Sequence, residues 1–128
     1  MANLVLISLS GLDLILSLWG FFFPAFWFSF FHDSTFIDPQ SLLARCAANW
    51  TAFFLLQVTA LLRWKKWPWL LLLVAGARLS DIFTDITCLL LASKVTIYAV
   101  ILFPVAGAGN LLCGVFLIKS YLSLNKNK

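Results

Sequence analysis

Charged side chains are scarce in this sequence of 128 residues. Lys, Arg, Asp and Glu make up 11% of it, whereas hydrophobic residues make up 62%. A soluble domain carries roughly 25% charged and roughly 45–50% hydrophobic residues. A domain this small needs a polar surface to remain in water, and so few charges cannot supply one. The composition predicts an integral membrane protein and excludes a water-soluble enzyme and a disordered tail.

Other absences limit the chemistry. The sequence contains no Glu, a single histidine (His32) and three widely separated cysteines without a Cys-x-x-Cys pair. A di-iron site on a helical bundle needs Glu, and paired haem ligation or a His-rich metal site needs more than one His. Thiol–disulfide exchange favours a Cys-x-x-Cys motif. We therefore predict no metal site and no cofactor, and we assign no catalytic residue.

Four apolar segments are long enough to cross a bilayer. We expect helices at about 3–31, 42–63, 67–93 and 95–121, in one domain covering residues 1–128. Each segment has the roughly 20 residues that span roughly 30 Å of hydrocarbon, and helices satisfy their own backbone in lipid. Short connections favour antiparallel neighbours. The predicted fold is an all-α, integral membrane four-helix bundle with up-down-up-down topology.

Proline residues mark the expected helix ends. Pro24 is expected to kink or end the first helix. Asp38-Pro39 has the pattern of an N-cap followed by proline at the first helical position. Pro68 is expected in the same position at the start of the third helix.

Basic residues cluster outside the apolar segments. Six of the nine lie in the second connection and in the C-terminal region: Arg63, Lys65, Lys66, Lys119, Lys126 and Lys128. Such clusters stay on the cytoplasmic side of a membrane and contact lipid headgroups, so they require no nucleic-acid partner. We predict a multi-pass protein of the cell (inner) membrane with both termini cytoplasmic. The loop that carries Asp33 and Asp38 would then lie outside.

Each predicted helix has one face of mostly small or polar residues, which is typical of the inward faces of membrane bundles. In chain order the four stripes are Ser10/Asp13/Ser17/Gly20, Arg45/Asn49/Ala52/Leu56/Thr59, Arg78/Asp81/Asp85/Cys88 and Phe103/Gly107/Asn110/Gly114. Ionisable residues at the bilayer centre cost on the order of 2.5–3.5 kcal/mol each and default to a functional interpretation. Gln57 does not lie on the polar stripe of its helix, and we assign it no role.

The polar members of these stripes form two predicted groups at different depths. One lies near the midplane and the other nearer the outer side, and together they are the candidate ligand-binding residues: Asp13, Arg78, Asp81 and Asn110; Arg45, Asn49 and Asp85. Three Asp against two Arg leave one carboxylate unmatched, which would take up a proton or hold a cation. Alternatively, the charges only fix helix register, Arg45 snorkels to the interface, and Asn110 serves helix packing.

Three parts of the sequence carry a family resemblance. They are Pro24 at the end of the first helix, Leu43-Ala44-Arg45 at the start of the second, and Ala75-Gly76-Ala77-Arg78-Leu79-Ser80-Asp81 with Asp85 in the third. In these parts the chain resembles the small four-helix bacterial membrane proteins of the DoxX-like group. The resemblance implies a four-helix bundle in a bacterial cytoplasmic membrane. Some DoxX-like relatives are subunits of quinone-linked oxidoreductases, but most have no assigned activity. The partners expected for this chain are a second copy in a homodimer or a larger membrane complex.

Three functions fit these patterns. The first is a binding or accessory module whose charged intramembrane pocket holds a small amphipathic molecule, a lipid or a quinone. The second is a proton-coupled small-molecule transporter that works as a homodimer and uses Asp13 to exchange a proton for a cation. The third is an intramembrane enzyme in which Asp81 and Asp85 share a proton as an acid/base pair. We favour the first.

Overall fold

The computed structural model describes residues 1–35, 38 and 40–126 of the chain. Within these ranges the regular structure consists of five α-helices: α1 (Ala2–Phe22), α2 (Pro24–His32), α3 (Leu42–Arg63), α4 (Leu70–Leu91) and α5 (Ile97–Lys126). The predicted all-α class is confirmed. Pro39 and Lys128, which the sequence assigned to a helix start and to a basic tail, lie outside the described residues.

The helix expected at 3–31 is two helices that meet at Phe23. Pro24 has no N–H to continue the helical ladder, and Phe23 leaves helical geometry with φ −131° and ψ 49°. The N–H of Phe23 donates to the carbonyl of Trp19 at 2.9 Å and closes α1. Pro24 then occupies the first turn of α2, where a missing N–H costs nothing. The predicted interruption at Pro24 is confirmed.

The other helix starts differ in detail from the expectation. Asp38 satisfies the first turn of α3 from upstream, since its carboxylate accepts from the N–H groups of Leu42 at 2.8 Å and Leu43 at 2.9 Å. The third long helix starts at Leu70 rather than at 67 and the last at Ile97 rather than at 95. Pro68 therefore precedes α4 instead of opening it, and its carbonyl accepts from the N–H of Leu71 at 3.0 Å in a tight turn.

The long helices pack as two antiparallel pairs, α1 with α3 and α4 with α5. In the first pair Ser17 is hydrogen-bonded to Thr51 at 2.6 Å, and Trp64 Nε1 donates to Asn3 Oδ1 at 2.7 Å. These contacts place the N-terminus beside the α3–α4 connection. In the second pair, Gly114 lies against Leu79 and Gly107 against Asp85.

The α4–α5 connection is attached to α2 at the opposite end of the molecule. The N–H of Thr96 donates to the carbonyl of Phe31 at 2.9 Å, and its hydroxyl donates to the carbonyl of Phe30 at 2.7 Å. These bonds satisfy carbonyls that the end of α2 leaves without helical partners. The short helix is thereby fixed to the start of α5.

Two apolar cores lie at the two ends of the molecule. The first surrounds the α3–α4 connection and contains Leu6, Leu9, Ala60, Leu70, Leu71, Val74, Ala75 and Leu117. The second surrounds α2 and contains Trp27, Phe31, Leu43 and Ala99. In the second core Trp27 packs against Phe31 and Trp50, with ring centroids 4.6 and 5.0 Å apart. The buried polar residues lie between the two cores.

In the described part of the chain, two helices are long and apolar enough to cross a membrane by length and composition, Ala2–Phe22 and the Ile97–Leu124 part of α5. Four such helices were expected. The difference arises because α3 and α4, though both have 22 residues, carry polar residues within their spans. In α4 these include Arg78, Asp81 and Asp85.

Gly20→Ala is expected to destabilise the protein. A Cβ at this position would lie 3.0 Å from the Cβ of Ala47 and 3.3 Å from a ring carbon of Trp50, and a Cβ cannot rotate away. Overpacking of this kind costs roughly 1–3 kcal/mol, against about 1 kcal/mol that Ala gains over Gly within a helix, and the net change can be measured as the free energy of unfolding followed by tryptophan fluorescence. Gly11→Ala is the control, because nothing lies within 4 Å there, and we expect it to be neutral or slightly stabilising. Equal effects of the two variants would contradict the close α1–α3 contact.

Candidate functional site

The midplane of the molecule holds a buried ion pair between α1 and α4. Arg78 Nη2 donates to Asp13 Oδ2 at 2.7 Å, and Arg78 Nη1 donates to Asp13 Oδ1 at 3.3 Å. Both side chains are 1% exposed. This bidentate geometry is the stronger of the hydrogen-bonding arrangements that arginine forms with a carboxylate. It joins the α1/α3 pair to the α4/α5 pair.

Gln57 of α3 completes the surroundings of Asp13. Its Nε2 donates to Asp13 Oδ2 at 2.6 Å, and the side chain is fully buried. Asp13 therefore accepts three hydrogen bonds, with both oxygens engaged. A ligand or cation at this carboxylate would first have to displace Arg78 or Gln57.

Asn110 extends the cluster to α5 and links it to Asp81. Arg78 Nη1 donates to Asn110 Oδ1 at 3.4 Å, and Asn110 Nδ2 donates to Asp81 Oδ2 at 3.5 Å. The same Arg78 nitrogen lies 3.7 Å from Asp81 Oδ2. The structure thus brings together Asp13, Arg78, Asp81 and Asn110, the four residues of the predicted midplane group.

A phenylalanine covers the guanidinium. Arg78 Cζ lies 5.1 Å from the ring centroid of Phe53, a distance at which the ring face attracts a cation. Two buried atoms of the cluster, Gln57 Oε1 and Arg78 Nε, have no hydrogen-bond partner among the described residues. Unsatisfied buried atoms of this kind cost roughly 1–3 kcal/mol each, so the cluster is tightly connected but not fully satisfied.

The predicted stripe on α3 is wrong. Arg45, Asn49 and Thr59 are exposed, and the buried residues of this helix are Leu43, Ala47, Gln57 and Ala60. The reason is the close approach of α1, which seats Ala47 beside Gly20. Arg45 and Asn49 are each two residues from Ala47, or about 200° around the helix axis, and so point away from the interface.

The second predicted group, Arg45, Asn49 and Asp85, is not assembled. Within the described part of the chain, Arg45 forms no ion pair and Asn49 no side-chain hydrogen bond. The midplane cluster contains two carboxylates, Asp13 and Asp81, and one guanidinium, and Asp85, one turn further along α4, is a third carboxylate outside its bonds. With Arg45 outside, the three carboxylates Asp13, Asp81 and Asp85 face one guanidinium, so two formal negative charges are unmatched rather than the one expected from the sequence.

Asp85 instead belongs to the lining of a cleft between α4 and α5. The cleft has a volume of about 300 Å³ and is lined by apolar residues of both helices, including Ile82, Ile86, Leu89, Phe103, Pro104 and Leu111. Among the described residues, Asp85 is the only ionisable one in its lining. Its Oδ2 is buried and accepts no hydrogen bond from any described residue. Small-molecule sites have volumes of roughly 300–1,000 Å³ and few polar groups, so this cleft is at the lower end of that range.

Two features of this site, the buried position of Gln57 and the cleft beside Pro104 and Gly107, were not predicted from the sequence. Gln57 follows Leu43 and Trp50 at intervals of seven residues, the spacing of a packed helix seam, and that spacing could have placed it inside. Pro104 interrupts the hydrogen-bond ladder within α5, and Gly107 lies one turn further on. A proline and a glycine on one helix face leave room beside a neighbouring helix, and both line the cleft.

Comparison of the chain with protein-family models, curated proteins and solved structures found no match. The DoxX-like resemblance therefore stays a prediction from the sequence.

Removing one member of the Asp13–Arg78 pair is expected to destabilise the protein strongly. Asp13→Leu and Arg78→Met should each lower the free energy of unfolding by about 3–5 kcal/mol, because each leaves a buried charge unpaired. The double variant should lose clearly less than the sum of the two single variants. A double-mutant cycle by chemical unfolding measures this coupling.

Arg45→Met is the matched control for the same substitution at an exposed position. We expect it to change the free energy of unfolding by about 0.5 kcal/mol or less. Strictly additive effects of Asp13→Leu and Arg78→Met would contradict the ion pair.

Proposed function

We propose that this chain is a multi-pass, four-helix integral membrane protein that binds a small amphipathic molecule and acts as a binding or accessory module. The observation that carries this proposal is that charged side chains are buried while large apolar side chains are exposed, the reverse of the distribution in a water-soluble protein. Charged Asp13 and Arg78 are each 1% exposed, whereas Phe83 and Leu112 are each 73% exposed. Water favours the opposite arrangement, and lipid favours this one.

The two most apolar helices support the same proposal. Only 33% of the apolar window of α1 and 22% of that of α5 is buried within the molecule. The core helix of a soluble protein would be mostly covered. Most of the apolar surface of these helices therefore needs apolar surroundings outside the chain.

The buried cluster offers a reason why α3 and α4 could also cross a membrane. Arg78 and Gln57 direct their polar atoms to Asp13, which removes these atoms from contact with lipid. Intramembrane charges are tolerated where they pair inside a bundle. This proposal includes the four-helix membrane bundle, the location in the inner membrane and the assignment to the DoxX-like group.

The ligand site of this module is the Asp85 cleft. Asp13 is engaged by Arg78 and Gln57, so the transporter hypothesis, in which Asp13 exchanges its proton for a cation, finds no support in the geometry. The cleft combines an apolar wall with one carboxylate, which suits an amphipathic molecule better than a polar metabolite. The distribution of buried and exposed residues favours binding in the membrane rather than from water.

The membrane topology can be tested by labelling single cysteines in a variant without Cys46, Cys88 and Cys113. With both termini cytoplasmic, Lys65→Cys should react with a membrane-impermeant maleimide only in inverted vesicles. Ser34→Cys should react only in spheroplasts. Labelling of both positions from the same side, or recovery of the chain in the soluble fraction, would overturn the proposed topology.

Ligand binding can be tested by native mass spectrometry of protein released gently from its membrane. We expect the wild-type protein to retain a defined extra mass. Ala108→Leu should lose that mass, because Ala108 lines the cleft. Ala106→Leu, on an exposed part of the same helix, should retain it. An extra mass that is insensitive to Ala108→Leu would place the ligand elsewhere and contradict the cleft assignment.

A further inference from the structure

We infer that the cleft between α4 and α5 binds a lipophilic amine, with its ammonium group at Asp85 and its apolar part between the two helices. This inference rests on the proposed function and specifies the chemical class of the ligand. It is carried by three features of the cleft: its unpaired carboxylate, its apolar lining and its local charge.

The carboxylate lacks a partner of its own. Asp85 Oδ2 is buried without a hydrogen-bond donor among the described residues, whereas Asp13 and Asp81 both accept hydrogen bonds. A buried carboxylate oxygen is costly unless a donor or a cation satisfies it. An ammonium group supplies both a hydrogen bond and the opposite charge.

The nearest cation of the protein is already engaged. Arg78 directs Nη1 and Nη2 to Asp13, and Nη1 also lies 3.7 Å from Asp81. Asp81 lies one helical turn before Asp85 on the same face of α4 and adds a second negative charge. This local excess of negative charge selects a cationic ligand over a neutral or an anionic one.

The rest of the cleft selects an apolar ligand body. Apart from Asp85, the lining consists of Ala, Gly, Ile, Leu, Phe and Pro residues. Gly107 lies beside the carboxylate, since a Cβ there would be in van der Waals contact with Asp85 Oδ2 at 3.9 Å. A volume of about 300 Å³ fits one ring with a short linker rather than a long chain or a fused-ring skeleton.

A pair of probes of the same shape tests the inference. N,N-dimethyl-2-phenylethylamine carries the cation, and (3-methylbutyl)benzene replaces its nitrogen with carbon. Binding of both probes is measured by ligand-detected NMR on the full chain in zwitterionic nanodiscs, with empty nanodiscs subtracted. We expect the amine to bind the wild-type protein more tightly than the hydrocarbon does.

Two substitutions distinguish the contribution of the Asp85 charge to binding from the contribution of the apolar cleft. Asp85→Asn should weaken amine binding about tenfold to a hundredfold and leave hydrocarbon binding unchanged, as expected for the loss of one charged hydrogen bond. Asp85 has no hydrogen-bond partner to lose, so the variant should fold, and its unfolding midpoint checks this. Ala108→Leu should weaken binding of both probes, and Ala106→Leu of neither.

The outcomes distinguish the inference from the function on which it rests. If Ala108→Leu blocks both probes but Asp85→Asn changes neither, the cleft binds amphipathic molecules and the amine assignment is overturned. If neither probe binds, or if Ala108→Leu does not change the binding of either probe, the assignment of the cleft as a ligand site is overturned. Amine binding that depends on both Asp85 and Ala108 supports the inference.

Discussion

Asp13 and Arg78 are 65 positions apart in the chain and meet at 2.7 Å between the two antiparallel helix pairs. Apolar packing is abundant within each pair, but α3 and α4 share much less contact with each other. The ion pair, with Gln57 and Asn110 beside it, therefore acts together with the apolar core that spans both pairs to fix how one pair is set against the other. Burying two charges is repaid only when their hydrogen bonds are nearly all made. A sliding of α4 along α1 by even one residue would break those bonds, so the charges specify a single register.

The network also decides which acidic residue remains available for binding. Asp13 is bonded through both oxygens, and Asp81 shares Asn110 and Arg78 with its neighbours. Asp85, one turn further along α4, is beyond the bonds of that network and lines the cleft formed beside Pro104 and Gly107. One helix face thus carries a structural section and a binding section. The first section contains Arg78, which contacts Asp13 of α1. The second contains Asp85, which lines the cleft together with residues of α5.

Much of this arrangement could be predicted from the sequence, because polar residues in apolar helices point inward whatever their partners are. The stripes of α1, α4 and α5 were predicted on this basis, and so was the meeting of Asp13, Arg78, Asp81 and Asn110. The rule failed on α3, where Arg45 and Asn49 are polar but exposed. There the small residue Ala47, pressed against Gly20, determined the buried face. Such a contact depends on the partner helix and cannot be deduced from α3 alone.

The two-pair arrangement also has a consequence for how the chain is made. Synthesis runs from the N-terminus, so α1 and α3 are complete before α4 emerges. During that interval Gln57 is the only member of the cluster that can bond to Asp13. The Asp13–Arg78 ion pair, which joins the two helix pairs, can therefore form only after α4 has been made.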